Sequence, residues 1–219
     1  MKKRPSAPAL LKEYYRSLLT SFGPQGWWPG RTRFEVIVGA ILTQNTSWTN
    51  VEKAIRNLRK DRLLTPGRLH AAEVSRLASL IRPAGYFNIK AGRLRNFTSF
   101  LFKDCGGSLD QLFRKDPATL RRELLAVNGV GPETADSIML YAAGKPEFVI
   151  DAYTKRIFSR HGFTSPDTGY DEIKTLFMDN LPRDAALFNE YHALIVKTAK
   201  DYCKTKNPLC DECPLKGYL

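Results

Sequence analysis

Apolar residues recur along most of this chain at the spacing of amphipathic helices. At positions 10–22 they follow the i, i+3, i+4 pattern that places them on one helix face. No segment shows the strong alternation of a half-buried strand, and the extended candidate at 148–150 is too short to found a sheet. We therefore predict an all-α fold, with helices at 10–22, 34–42, 49–58, 72–81, 88–103, 108–113, 117–126, 133–142, 152–160, 170–181 and 185–202.

Glycine and proline residues separate these segments. The expected breakers are Gly23-Pro24, Pro66-Gly67, Arg82-Pro83-Ala84-Gly85, Gly106-Gly107, Gly129 to Pro132 and Gly144-Lys145-Pro146. A chain of 219 residues can bury a proper core, either as one large domain or as two small lobes.

Basic side chains outnumber acidic ones, 34 to 22, which gives a formal net charge of +12. This balance favours a polyanionic partner such as nucleic acid, although a solvated basic surface would give the same count. No apolar run approaches the roughly 18 residues of a membrane span, and the basic N-terminus lacks the apolar core of a secretory signal. We therefore expect a cytoplasmic protein.

The segment 127–136 predicts a hairpin between two helices. Gly129-Val130-Gly131 allows a tight turn, because glycine tolerates positive φ and leaves the backbone amides unshielded. Pro132 suits the first turn of the next helix, and exposed amides at a helix N-terminus bind anions. The segment is therefore suited to a nucleic-acid phosphate, whereas Gly-Val-Gly alone would also fit a plain helix connection.

A lone carboxylate, Asp151, follows the hairpin, and 151 − 133 = 18 positions separate it from Glu133. The hairpin and the spaced aspartate together resemble the helix-hairpin-helix DNA glycosylases of the endonuclease III type. The resemblance implies a monomer that binds duplex DNA in a cleft between a six-helix lobe at 34–140 and a second lobe from 1–33 and 141–202, with a cysteine-rich tail at 203–219. It also implies DNA contacts by Asn128, Gly129, Val130, Gly131, Glu133 and Thr134.

Asp151 is the candidate catalytic residue, because an N-glycosidic bond breaks through an oxocarbenium-like state. A carboxylate beside the sugar stabilises that charge and can orient or deprotonate a water molecule. Its place before Ala152 also suits a helix N-cap, and one side chain can serve both purposes. Glu133 stands where bifunctional members of the family carry an imine-forming lysine, so the resemblance implies a monofunctional enzyme that leaves the abasic site uncut.

Two further segments carry the resemblance towards the base pocket. Residues 42–46, Leu-Thr-Gln-Asn-Thr, match a family segment whose glutamine fills the gap left by an extruded base, so we expect Gln44 to contact DNA. An isolated Gln-Asn is otherwise a turn or a cap. The tryptophans, the stretch 82–91 and Tyr191-His192 look most like the 3-methyladenine glycosylase branch. This resemblance implies that Trp27, Trp28, Trp48 and, on the last helix, Lys200 line the base pocket, although adjacent tryptophans also anchor loops in cores.

The tail reads Cys203-x6-Cys210-x2-Cys213, which resembles the loop that holds a [4Fe–4S] cluster in endonuclease III relatives. The fourth cysteine of that loop would fall at position 219, which is Leu219. A cluster on three thiolates, a zinc ion and no metal all remain open.

The function expected from these residues is hydrolysis of the N-glycosidic bond that joins an alkylated purine to DNA, since aromatic faces prefer flat cations. The rivals are a mismatch or oxidised-base glycosylase of the endonuclease III type and a non-catalytic, structure-specific DNA-binding protein. His70 and His161 are expected at the surface or in caps, and His192 in helix packing with a role in the pocket as the alternative. The candidate phosphate contacts are Lys90, Arg93, Arg95, Lys155 and Arg156.

Overall fold

The computed structural model describes residues 6–27 and 30–218. Within them all regular structure is helical, which confirms the predicted all-α class. The twelve α-helices of the described residues are α1 Ala7–Phe22, α2 Arg33–Leu42, α3 Trp48–Lys60, α4 Pro66–Ala71, α5 Val74–Leu80, α6 Phe87–Cys105, α7 Leu109–Arg114, α8 Pro117–Ala126, α9 Pro132–Ser137, α10 Ala152–Arg160, α11 Tyr170–Asn180 and α12 Ala185–Asp201.

Short helical turns complete the described part of the chain. A π-helical segment at Ile138–Ala142 continues α9, and 3-10 turns lie at Arg82–Ala84, Cys210–Glu212 and Lys216–Tyr218. Across the described ranges, none of the helices combines the length and the apolar character that a membrane crossing requires.

The chain folds as two compact units. The split unit combines residues 1–27 with 146–219, and the central unit comprises residues 28–145. The cysteine tail therefore belongs to the split unit, and the hairpin to the central unit.

Helix α2 forms the middle of the core of the central unit. Nine of its ten residues are buried, because apolar side chains surround the helix. Thr32 begins the helix by accepting a hydrogen bond from the backbone N–H of Glu35. Helices α3 and α6 and the π-helical segment pack against it, so the residues that follow Leu42 have a rigid support.

Pro66-Gly67 begins a helix rather than interrupting one, which corrects the prediction of a breaker. Thr65 accepts a hydrogen bond from the backbone N–H of Arg68, and Pro66 occupies the first turn of α4. A proline at this position loses no helical hydrogen bond and already has the φ of a helix. The central unit carries eight α-helices in its described residues, α2 to α9, rather than the six expected.

An aromatic cluster forms the core of the split unit. The rings of Phe148 and Phe177 stack with centroids 3.9 Å apart, and Phe158 packs edge-on against Phe177 at 4.7 Å. The Tyr191 hydroxyl donates to the carbonyl of Leu11 at 2.9 Å and so joins α12 to α1. This core supports both α10, which begins beside Asp151, and α12.

Candidate active site and nucleic-acid interface

Asp151 caps α10, as its position in the sequence suggested. Its Oδ1 atom accepts a hydrogen bond from the backbone N–H of Thr154 at 2.7 Å and another from the Thr154 hydroxyl at 2.9 Å. The extended chain before the helix brings the side chain back over the first turn, which is the usual N-cap geometry. One carboxylate oxygen is therefore fixed by local structure.

The other oxygen of Asp151 faces a histidine on α12. Its Oδ2 atom lies 3.5 Å from Nε2 of His192, at ion-pair distance. Burial would raise the pKa of Asp151, but the charge of His192 and the hydrogen bonds from Thr154 outweigh it and hold the pKa below its usual value. The carboxylate is thus ionised at neutral pH, as stabilisation of an oxocarbenium-like sugar requires.

The hairpin lies between α8 and α9 of the central unit. Gly129 has a φ of +92°, and the N–H of Val130 donates to the carbonyl of Val127 at 2.9 Å to close the turn. A Cβ on Gly129 would come within 2.3 Å of Cγ of Arg93, so the turn and the close approach both require glycine. Gly131 is exposed and has no heavy atom within 4 Å of where its Cβ would be.

A buried ion pair joins the two helices of the hairpin. Nε of Arg121 on α8 lies 2.8 Å from Oδ1 of Asp136 on α9, and the Asp136 side chain has no exposed surface. Glu133 is exposed in the first turn of α9. Asn128 accepts a hydrogen bond at its carbonyl from the side chain of Asn96 on α6. The hairpin is therefore held from both α6 and its own helices, with its glycine tip at the surface.

Gln44 lies against the hairpin rather than projecting alone. Its Nε2 atom donates to the Gly129 carbonyl at 3.0 Å and to the Thr134 hydroxyl at 2.8 Å, and Arg93 donates to its Oε1 atom. The structure thus brings together three of the residues expected to contact DNA, Gln44, Gly129 and Thr134. Their contact with DNA stays a prediction.

Trp27 belongs to the split unit and Trp48 to the central unit. In the split unit, Nζ of Lys200 lies 6.0 Å from the ring centroid of Trp27, so two residues expected to line the base pocket are neighbours. Trp28 lies outside the described residues. In the central unit, Trp48 is the first residue of α3, and its indole N–H donates to the Glu52 carboxylate at 3.0 Å.

Trp48 borders a polar cavity of 310 Å³ in the central unit. The buried carboxylate of Glu35 lies there, 2.7 Å from Nη2 of Arg59, with Glu52 and Arg56 also on the wall. The wall of this cavity therefore carries both acidic and basic side chains beside the indole ring of Trp48.

Several of the side chains expected to contact phosphate bind carbonyl groups of the protein backbone instead. Lys90 is buried and donates to the carbonyls of Leu42 and Ala84, which corrects its assignment to phosphate. Arg95 donates to the carbonyls of His70 and Ala72 at the end of α4, and Arg156 donates to that of Cys203 at 2.7 Å. Lysine and arginine side chains suit these carbonyls as hydrogen-bond donors, because a helix C-terminus attracts cations. Lys155 stays a candidate.

The two histidines expected at the surface or in caps both contact aromatic rings. His70 stacks on Phe102 with ring centroids 4.5 Å apart. His161 is the C-cap of α10, as the capping interpretation held, but it is buried and its Nδ1 atom lies 2.7 Å from the Tyr14 hydroxyl. Neither ring is therefore a simple surface residue.

The three tail cysteines line one small cavity of 30 Å³, together with His161. Burial raises the pKa of the Cys213 thiol, and the neighbouring Cys203 and Cys210 raise it further, so this thiol stays protonated at neutral pH. Arg160 donates to Sγ of Cys203 at 3.3 Å. Within residues 6–27 and 30–218, no three His, Cys, Asp or Glu side chains are arranged to hold a metal ion. The described residues therefore do not fit a cluster as they stand.

Sequence reasoning missed Thr154 as part of the site, and it did not place His192 beside Asp151 or Arg93 beside Gln44. Thr154 could have been found, because the third residue after a capping aspartate often binds it. His192 and Arg93 lie far along the chain from Asp151 and Gln44, and no local spacing links them.

The chain is similar to known DNA repair proteins. The model for HhH-GPD superfamily base excision DNA repair proteins matches residues 38–183. A Methanocaldococcus jannaschii protein, provisionally named a DNA repair glycosylase, is 50% identical over 210 residues, which are 95% of each chain.

Two solved structures extend the likeness. The H. pylori 3-methyladenine DNA glycosylase bound to 1,N6-ethenoadenine is 28% identical, with a TM-score of 0.77 over 90% of this chain and 98% of that one. An endonuclease III–DNA complex shares the fold at 23% identity, with a TM-score of 0.82 over 96% of this chain and 94% of that one.

Proposed function

We propose that this chain, which belongs to the HhH-GPD superfamily of base excision DNA repair proteins, is a monofunctional DNA glycosylase. It would hydrolyse the N-glycosidic bond of alkylated purines. The observation that carries the substrate class is the pairing of Trp27 with Lys200. These are two of the positions that line the base pocket in the 3-methyladenine branch. The H. pylori relative, which covers most of the chain, supports the same class. Since the substrate is DNA, we place the protein in the cytoplasm with the chromosome.

Asp151 performs the central step of this reaction. A purine methylated at N3 or N7 is positively charged in the nucleotide, so the electron pair of the C1′–N bond passes to the base, which leaves neutral. Positive charge then develops on the sugar, where the ionised carboxylate of Asp151 stabilises it. Water adds to C1′ and gives its proton to Asp151, and an abasic site remains. Because the base is a good leaving group, one carboxylate is sufficient.

Glu133 supports the monofunctional assignment. It occupies the exposed first turn of α9, where the bifunctional relatives carry their lysine. A carboxylate cannot form an imine with the sugar aldehyde, so the covalent route that leads to strand cleavage has no nucleophile at this position.

A neutral damaged or mispaired base is the second candidate substrate. The observation that favours it is the polar cavity beside Trp48, whose wall offers hydrogen-bonding groups to a neutral base. A neutral base can also stack on the indole ring.

A panel of duplexes, each carrying one lesion, separates these candidates. The lesions are 3-methyladenine, 7-methylguanine, 1,N6-ethenoadenine, uracil, an oxidised pyrimidine and adenine opposite 8-oxoguanine. Released bases are measured by chromatography, and Asp151→Asn serves as the blank. We expect release of the methylated purines first. Release of only neutral bases would select the second candidate, and binding without any release would select the non-catalytic DNA-binding protein.

The [4Fe–4S] cluster expected from the cysteine spacing stays a prediction outside this reaction. The common cavity of Cys203, Cys210 and Cys213 supports it, whereas the arrangement of their side chains does not. Iron and acid-labile sulfide in the purified protein, measured beside a Cys213→Ser variant, check it. Zinc in the same analysis would identify a different metal site.

A further inference from the structure

The two oxygens of Asp151 are held by different parts of the split unit. Oδ1 is bound within α10, by the backbone and hydroxyl of Thr154. Oδ2 faces Nε2 of His192, which comes from α12. The first contact is local and follows from the N-cap, but the second exists only because α10 and α12 pack together. The cap alone would leave the orientation and charge of Oδ2 unsupported.

Both side chains of this pair are largely shielded from water. The Asp151 side chain is 13% exposed and that of His192 is 6% exposed. Salt screens an interaction in such surroundings much less than at a surface, and desolvation makes an unpaired carboxylate costly. The imidazole therefore has a strong influence on whether Asp151 is ionised.

The other ionisable groups around Asp151 contribute less. The hydroxyl of Tyr170, at the start of α11, accepts a hydrogen bond at 3.3 Å from the N–H of Ile150, the residue before Asp151. Lys155 in α10 reaches Asp151 through backbone atoms, by donating its N–H to the Asp151 carbonyl at 3.0 Å. Lys200, further along α12, is directed to Trp27. Among the described residues, His192 lies at ion-pair distance from the Asp151 carboxylate.

We propose that His192 is a positioning residue for the glycosylase reaction, which orients the Asp151 carboxylate through Oδ2 and keeps it ionised in acidic solution. This inference rests on the proposed function, since it assigns His192 a task only if Asp151 stabilises the sugar cation. Without the imidazole, the hydrogen bonds from Thr154 alone would oppose the effect of burial, and Asp151 would take up a proton at a higher pH. A protonated carboxyl group no longer provides the negative charge that the reaction needs.

The test compares His192→Gln with His161→Gln in the full-length protein. Both histidines are buried in the split unit, but the partner of His161 is the neutral hydroxyl of Tyr14. Single-turnover excision is measured from acidic to neutral pH, over the range in which circular dichroism shows each variant to be folded. We expect His192→Gln to move the acidic limb of the rate profile to higher pH, and His161→Gln to leave that limb in place.

A carboxyl NMR titration tests the pair without relying on activity. Protein labelled with ¹³C at the aspartate side chains gives a signal for Asp151 that Asp151→Asn identifies by its loss. We expect this signal to titrate at a higher pH in His192→Gln than in the wild type. A second variant, His192→Asn, gives the same comparison if His192→Gln does not fold.

The outcomes distinguish the two proposals. Unchanged Asp151 titration in His192→Gln or in His192→Asn overturns the role of His192. A wild-type protein that excises no base, but whose Asp151 signal responds to His192, keeps the ion pair and rejects the proposed function. Equal movement of the acidic limb in both glutamine variants would show a general stability effect and also reject the inference.

Discussion

Nε2 of Gln44 donates a hydrogen bond to the hydroxyl of Thr134 at 2.8 Å, so the residue expected to replace a flipped base is bound to the hairpin expected to hold phosphate. A second bond to the Gly129 carbonyl at 3.0 Å and one from Arg93 to Oε1 complete its contacts. To enter a duplex, the Gln44 amide must exchange these bonds for bonds with bases.

Gln44→Ala should impair excision from paired DNA more than excision from DNA whose damaged base is already unstacked. The wedge is needed when the protein must separate a stacked base, which costs a few kcal/mol, and is dispensable when the base lies in a bulge. We expect a loss of roughly tenfold or more on the paired substrate, since about 1.4 kcal/mol corresponds to tenfold. Single-turnover rates on the two duplexes give the comparison. Equal losses on both would show that Gln44 acts only through folding or general DNA binding.

Asp151→Asn should lower excision by about 10²–10⁴-fold. Asparagine is as good an N-cap as aspartate, so the hydrogen bond from the Thr154 N–H survives while the negative charge is lost. Binding to a duplex with an abasic site, measured by fluorescence anisotropy, should persist.

Asp184→Asn is the matched control for this substitution. Asp184 caps α12 in the same unit and accepts hydrogen bonds from the N–H groups of Ala186 and Leu187 at 2.7 and 3.0 Å. It should retain full excision. If Asp151→Asn also turns over near the wild-type rate, Asp151 is only a cap.

Base removal should leave the DNA strand intact until alkali is added. The reason is that Glu133 provides no amine for an imine at the start of α9. Treatment with borohydride during turnover should therefore yield no covalent protein–DNA product on a denaturing gel, whereas a bifunctional endonuclease III gives one under the same conditions. A trapped product would show that another amine attacks the sugar, and mass spectrometry of the adduct would identify it.

The contribution of Lys90 to folding should grow as the pH rises above 8. Burial, followed by the nearby charge of Arg93, lowers the pKa of Lys90 from 10.5 to about 8 in the folded protein. The unfolded chain therefore binds more protons than the folded chain between about pH 8 and 10.5, and stability increases with pH in that window. Below pH 8 the full cost of the buried charge remains.

Urea unfolding of the wild type and Lys90→Met at pH 7 and pH 9.5 measures this effect. The difference in unfolding free energy between them should shift in favour of the wild type at the higher pH. Lys53→Met, at an exposed position of α3, controls for the loss of a lysine as such. A difference that does not change with pH would mean that Lys90 keeps its ordinary proton affinity in the fold.

The sequence by itself determined the features that depend on neighbouring residues. Apolar spacing predicted the all-α class and most helices, because a helix places residues three and four apart on one face. The glycines predicted the hairpin turn, and the place of Asp151 before α10 predicted its cap. Where local rules conflict, as at Pro66-Gly67, the pattern misled, since proline can either break a helix or begin one.

Only the tertiary structure decided which distant side chains meet. The approach of α12 to α10 places His192 beside Asp151, and α6 brings Arg93 to Gln44 and to the hairpin. The tertiary structure also buries the side chain of Lys90, although the charge of a lysine suggests a surface position. These contacts depend on how apolar faces pack against each other, and that packing leaves no signature in the spacing of the polar residues that it brings together.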